Sequence, residues 1–185
     1  MEQAKAGQRV VYFVDAAHFV QGAFLGFLWC FSRVFVRSPS GRQRFNVLGA
    51  LCATSHCLTT VCNTGYINSL SVCELLGKLA ARTLSIPITV VLDNARYQRC
   101  ALVQSVARDL GIELLFLPSY SPNLNLIERL WKFTKKKVLY SKYYASFAEF
   151  QHAIASLLDN AHQTHRQELD TLLTLEFQTL KNLTS

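Results

Sequence analysis

The sequence predicts an α/β domain: a mixed β-sheet flanked by helices, with a helical extension at the C-terminus. Three observations carry that expectation. Two apolar runs rich in β-branched residues, 9–14 and 88–92, have the composition of strands buried on both faces. Two further β-rich runs, 45–53 and 58–62, flank the short polar stretch 54–57 and read as a hairpin. From Ser69 onward, helix-period and strand-period segments alternate as in parallel βαβ units.

Half of the 185 residues are apolar and 17% are charged, which excludes a disordered chain and allows one well-filled core. The 19 Lys and Arg against 12 Asp and Glu give a net charge of +7, which favours a polyanionic partner or an acidic membrane surface. The acids are scarce enough to follow singly. Between Gln3 and Cys73 the sole carboxylate is Asp15, and it lies inside an apolar run. Six cysteines include Cys52, Cys57 and Cys62 at five-residue spacing with no CxxC pair. Zinc is therefore disfavoured, and the expectation is small apolar cysteines in a reduced cytoplasmic protein. Residues 16–32 lack Asp, Glu, Lys and Arg, but His18, Gln21, Gly22 and Gly26 argue for core and loop over a membrane span.

In chain order, residues 1–8 are polar and expected to form a disordered tail. Residues 9–14 form a strand that Asp15 closes. Residues 28–37 alternate loosely, as a short edge strand would, before a basic turn at 38–42. After the hairpin comes a helix over 69–84 with Leu70, Cys73, Leu76, Leu79 and Ala80 on one face. The strand at 88–93 delivers Asp93 at its end. A helix over 97–110 is stopped by Gly111, and a strand covers 112–117. The loop 118–125 then enters a helix reaching Tyr140, with Asn125 as its N-cap candidate. On that helix Ile127, Leu130, Trp131, Thr134 and Val138 share one face; Glu128, Lys132, Lys135 and Lys136 share the other. Helices over 147–161 and 168–180 end the chain. The expected division is a tail (1–8), an α/β domain (9–145) and a helical extension packed on it (146–185).

That element order is the order of a ribonuclease H-like α/β domain. If the first strand lies beside the strand ending at Asp93, their C-terminal ends become neighbours. Asp15, Asp93 and Glu128 then stand at strand ends or a helix start. Gathered together, three carboxylates repel one another unless a cation intervenes, and an all-oxygen set suits Mg²⁺ or Mn²⁺. Each acid also has a purely structural reading. Asp93-Asn94 fits an Asx turn, Asn125 with Glu128 fits a capping box, and Asp15 fits a buried acid held by backbone amides.

The stretches Val90-Val91-Leu92-Asp93-Asn94-Ala95 and Leu117-Pro118-Ser119-Tyr120-Ser121-Pro122-Asn123-Leu124-Asn125-Leu126-Ile127-Glu128-Arg129-Leu130-Trp131 resemble the second and third signature blocks of DDE transposases. The likeness is to the bacterial insertion-sequence branch related to the mariner elements. Phe13-Val14-Asp15 resembles the strand bearing the first acid, and the 34 residues between Asp93 and Glu128 (94–127) fit the same branch. The resemblance covers residues 9–145. It implies a metal-dependent DNA endonuclease and strand transferase that cuts transposon ends and joins them to target DNA. Asp15, Asp93 and Glu128 are then the catalytic residues and the ligands of two Mg²⁺ or Mn²⁺ ions. The implied partners are double-stranded DNA, a second copy of the chain on the paired end, and a helix-turn-helix region on a separate subunit or frame. The implied location is a bacterial cytoplasm, at the nucleoid and away from membranes. Three positions depart from the family pattern: Ala16 where a second acid often follows the first, Leu126 where Pro is usual, and Tyr97 where many relatives carry His.

Between Tyr120 and Ala145 six basic residues (Arg129, Lys132, Lys135, Lys136, Lys137 and Lys142) accompany the single acid Glu128. Lys132, Lys135 and Lys136, with Arg96 just after Asp93, are the candidate DNA contacts; such contacts reach phosphates and are sequence-blind. Trp131 is expected to pack in the core and His18 to be a hydrogen-bonded structural histidine. His152, His162 and His165 suggest no metal site. Two other functions remain open at this stage: a DNA-binding remnant without chemistry, and another ribonuclease H-like nuclease acting on hybrid or branched substrates.

Overall fold

The computed structural model describes residues 1–22, 30–33, 35, 42–82, 85–118 and 121–176. Its centre is a five-stranded sheet in the order β3-β2-β1-β4-β5. Strand β1 (Val10–Gln21) pairs antiparallel with β2 (Gln43–Cys52), which pairs antiparallel with β3 (Leu58–Asn63). On its other side β1 pairs parallel with β4 (Ile88–Leu92), and β4 with β5 (Ile112–Phe116). The expected hairpin and the parallel second half are both present. All five residues of β4 are buried, as a strand covered on both faces requires.

Two apolar layers sandwich the sheet, and strand alternation assigns each residue to one of them. Tyr12, Val14, Leu48, Ala50, Val90 and Leu92 face α2 (Ser69–Arg82) and α3 (Ala101–Asp109). Val11, Phe13, Ala17, Phe19, Val47, Leu51 and Val91 face the opposite way, toward α4 (Ile127–Leu139), α5 (Phe147–Thr164) and α6 (Arg166–Leu172). In α4 the buried residues are Ile127, Leu130, Trp131, Phe133, Thr134 and Val138, the face expected from the sequence with Phe133 added. Ser146 caps α5 by accepting from the Glu149 amide, while the Glu149 carboxylate accepts from the Ala145 amide just before the cap.

Several boundaries differ from expectation, each for a local reason. Asp15 does not close the first strand: β1 runs on to Gln21 because β2 stays paired with it as far as Gln21↔Gln43. Residues 16–21 are thus strand, and no described helix is long and apolar enough to cross a membrane. Residues 1–8 are not a disordered tail: a one-turn helix, α1 (Glu2–Lys5), buries Ala4 in the core, and Gln3 accepts from the Arg9 guanidinium. Helix α2 turns Val72 and Leu75 inward, with Leu70 exposed. Helix α3 begins at Ala101, because a turn in which the Gln98 and Arg99 amides donate to the Ala95 carbonyl occupies the residues before it. The last helix runs from Arg166 to Leu172 and residues 173–176 are not helical, so the helix expected over 168–180 is shorter and starts earlier; residues from 177 onward lie outside the described residues. So does most of the edge strand expected over 28–37; its described residues, 30–33 and 35, are not strand.

Candidate active site

Parallel pairing of β1 with β4 ends at Val14↔Leu92, which sets Asp15 and Asp93 level, one residue past the last rung. Both occupy the alternation phase of Phe13 and Val91, so both lie on the sheet face that α4 covers. Glu128 stands in the first turn of α4, over the same end of the sheet. The neighbourhood shows in the electrostatics. Burial pushes the Asp15 carboxyl from 3.8 up to about 7; the Ala16 amide and the Trp131 indole oppose this, while the charges of Glu128 and Asp93 add to it. No ion pair to a described residue neutralises any of the three acids.

Two side chains from the α4 segment tie it to β1 on either side of Asp15. Asn125 is buried and donates from Nδ2 to the Val14 carbonyl at 3.2 Å. It is therefore no helix cap: Leu126 holds that position without a side-chain bond, and the capping-box reading of Asn125 and Glu128 is corrected. The buried Asn125 Oδ1 has no hydrogen-bond partner among the described residues. Trp131, a core residue as expected, also donates its indole N–H to Asp15 Oδ2 at 3.1 Å. That second role was invisible in the sequence, because Trp131 fits the apolar face of its helix. One signal did exist: Gly49, inside a β-rich run, is the cross-strand partner of Asp15, and a Cβ there would lie 2.7 Å from the Trp131 ring.

The Asx-turn reading of Asp93 holds in its geometry: the Ala95 amide donates to Asp93 Oδ1 at 3.3 Å. That bond orients the carboxylate and does not neutralise it. Tyr97 flanks the acids, its hydroxyl accepting from Gln98 Nε2; burial, then Asp93 and Asp15, push its pKa up to about 12. It stays a protonated donor at any ordinary pH. His18 is hydrogen-bonded as expected, its Nδ1–H donating to Asn46 Oδ1 at 2.7 Å while the Asn46 amide donates to Asn63 and Gly65.

Lys132, Lys135, Lys136 and Arg96 are exposed, and no hydrogen bond or ion pair joins them to a described residue. The other basic residues of α4 are committed. Arg129 donates to the carbonyls of Leu172, Thr174 and Glu176, and Lys137 pairs with Glu168 at 2.9 Å and lies over the Phe133 ring.

As they stand, no three His, Cys, Asp or Glu among the described residues form a group that could hold a metal ion. The donor chemistry nevertheless suits one: three carboxylates without an ion pair to a described residue, two of which act on the charge of the third, Asp15, offer an all-oxygen set of the kind hard divalent cations favour.

A family model described as DDE superfamily endonuclease matches residues 10–151, from the start of β1 into α5. The chain belongs to the DDE superfamily endonucleases. No curated protein matches it in sequence. Its fold is shared with solved transposase and integrase chains. The Mos1 strand transfer complex matches with a TM-score of 0.58 at 15% identity, over 83% of this chain and 46% of that one. A Mos1 mariner paired-end complex with Mn matches at 0.56 and 12%, over 88% and 56%. The simian T-cell lymphotropic virus intasome, in complex with a PP2A regulatory subunit, matches at 0.57 and 16%, over 95% and 59%. This DDE chain spans about half the length of those proteins. The likeness establishes a mixed sheet flanked by helices, of the ribonuclease H-like kind used by transposase catalytic domains.

Proposed function

We propose that this chain is a transposase catalytic domain that cuts DNA at transposon ends and joins the freed 3′ ends to target DNA. The observation that carries the reading is the placement of three unneutralised acids. Asp15 and Asp93 stand level beyond the β1–β4 ladder, and Glu128, in the first turn of α4, lies near enough for its charge to act on Asp15. In this reading Asp15, Asp93 and Glu128 hold two Mg²⁺ or Mn²⁺ ions, which supply Lewis acidity for attack of water, then of a 3′-hydroxyl, on a phosphodiester.

The chain's own residues do the rest. The Asx turn aims Asp93, and the Asn125 and Trp131 bonds fix the α4 segment against β1 beside Asp15. Lys132, Lys135, Lys136 and Arg96 are exposed, without an ion pair to a described residue, and would offer their charge to the DNA backbone. Double-stranded DNA is the partner, with a second copy of the chain on the paired end.

The test is nicking of duplex DNA in Mg²⁺ or Mn²⁺ by the wild type, Asp93→Asn and Glu128→Gln. Activity is expected in the first and absent in the others; full metal-dependent cleavage by both variants overturns the assignment. A second reading, a DNA-binding remnant without chemistry, draws on the absence of a ready three-ligand cluster among the described residues. Salt-sensitive DNA binding with no Mn²⁺ uptake at millimolar metal would select it. Comparing linear, branched and RNA–DNA hybrid substrates separates a transposase from another ribonuclease H-like nuclease.

A further inference from the structure

Asp15 is an acid flanked in its alternation phase by apolar residues: Val11, Phe13, Ala17 and Phe19 share its face and are buried. Its cross-strand partner is Gly49, in a strand whose neighbours in the same phase are Val47 and Leu51. Both irregularities meet at one side chain. The Trp131 ring occupies the space where a residue-49 side chain would begin, with Cη2 at 2.7 Å and Cζ2 at 2.9 Å from an ideal Cβ. Ile127 Cδ1 closes the same space at 3.0 Å, and Phe19 meets the indole edge-on at a centroid distance of 6.4 Å. So seated, the ring places Nε1 3.1 Å from Asp15 Oδ2.

We propose that Gly49 and Trp131 form a positioning unit for Asp15. The absent side chain at residue 49 lets the indole pack close against β2, and the indole N–H then fixes one carboxylate oxygen of Asp15, which would hold the carboxylate ready for a divalent cation. A tryptophan that served packing alone would not require a glycine opposite the acid, nor its single polar atom aimed at the one carboxylate of β1. A group that orients a metal-binding side chain typically changes metal affinity about 10- to 100-fold when removed. The proposal rests on Asp15 being a metal ligand, so the experiment includes that assignment as its own control.

Mn²⁺ affinity is measured by titration calorimetry and thermal stability by scanning calorimetry, on full-length wild type, Trp131→Phe, Gly49→Ala and Asp15→Asn. A fifth protein carries 3-benzothienylalanine at position 131, which keeps the bicyclic shape and replaces N–H by sulfur. Mn²⁺ binding about 10- to 100-fold weaker is expected for the benzothienyl protein, with its melting temperature essentially unchanged. Trp131→Phe and Gly49→Ala are expected to lose affinity too, with some loss of stability from the cavity and the clash. In ¹⁵N spectra the Trp131 indole resonance should move when Mg²⁺ is added, and should not move in Asp15→Asn.

If the benzothienyl protein binds Mn²⁺ as tightly as wild type while Asp15→Asn does not, the positioning role is refuted and the metal site stands. If Asp15→Asn itself binds normally, the ligand assignment fails and the positioning role falls with it.

Discussion

Replacing Asp15 by Asn, in protein free of divalent cations, isolates the cost of keeping a carboxylate in this site. Burial, with Glu128 and Asp93 nearby, lifts the Asp15 carboxyl from 3.8 to about 7. The unfolded chain therefore ionises this acid near pH 4, and the folded chain holds the proton to about pH 7. Between those values the folded state binds more protons than the unfolded state, so stability must fall as pH rises through the window. Below it both states are protonated and no penalty exists; above it the penalty is complete. At about 1.4 kcal/mol per pKa unit, a rise of this size sets an upper bound of roughly 4 kcal/mol. Asn retains an acceptor for the Trp131 indole and cannot ionise. In urea unfolding with chelator present, Asp15→Asn should be about 1–3 kcal/mol more stable than wild type at pH 8, with the gap closing at pH 4. Equal stabilities at pH 8, or a wild type that gains stability relative to the variant between pH 4 and 7, would refute the reasoning.

Divalent metal should reverse that ranking. Mn²⁺ at 100 times its dissociation constant stabilises the wild type by about 2.7 kcal/mol in the same unfolding assay, and should leave Asp15→Asn and Glu128→Gln almost unmoved. Lys132→Ala, Lys135→Ala and Lys136→Ala should each lower the slope of log binding constant against log salt by about 0.9 per lost phosphate contact, read by fluorescence anisotropy on duplex DNA. Unchanged slopes would reduce this face to ordinary solvated surface. Arg129→Ala removes the guanidinium that joins α4 to the carbonyls of Leu172, Thr174 and Glu176, and should cost about 1–3 kcal/mol. Amide exchange should accelerate first across residues 166–176, and uniform acceleration would contradict a local clamp.

Much of the framework was legible because it is periodic. The alternation of β-rich and helix-period segments located all five strands, and the apolar stripe of α4 separated Trp131 and Leu130 from Glu128 and Lys132. Features without a period were misread. Asp15 looked like a terminator because acids usually end strands, yet an antiparallel neighbour carries β1 six residues further. Asn125 three residues before Glu128 matched a capping box, yet its amide is used across the sheet on the Val14 carbonyl. Arg129 and Lys137 stand in the same basic run as the candidate DNA contacts, and pattern alone did not show that the C-terminal segment engages both.

The sequence by itself marked the residues proposed to bear chemistry: three acids in an acid-poor chain, at positions resembling the family pattern, beside a run of lysines. Such identities are local, and local patterning preserves them. Only the tertiary structure decided how those residues are held. The level ends of β1 and β4, the glycine opposite Asp15 and the indole bond to its carboxylate join residues 34 to 116 positions apart. Pairing across such separations is set by strand register and by which side chains fill a shared volume, and neither quantity is written in any single stretch of chain.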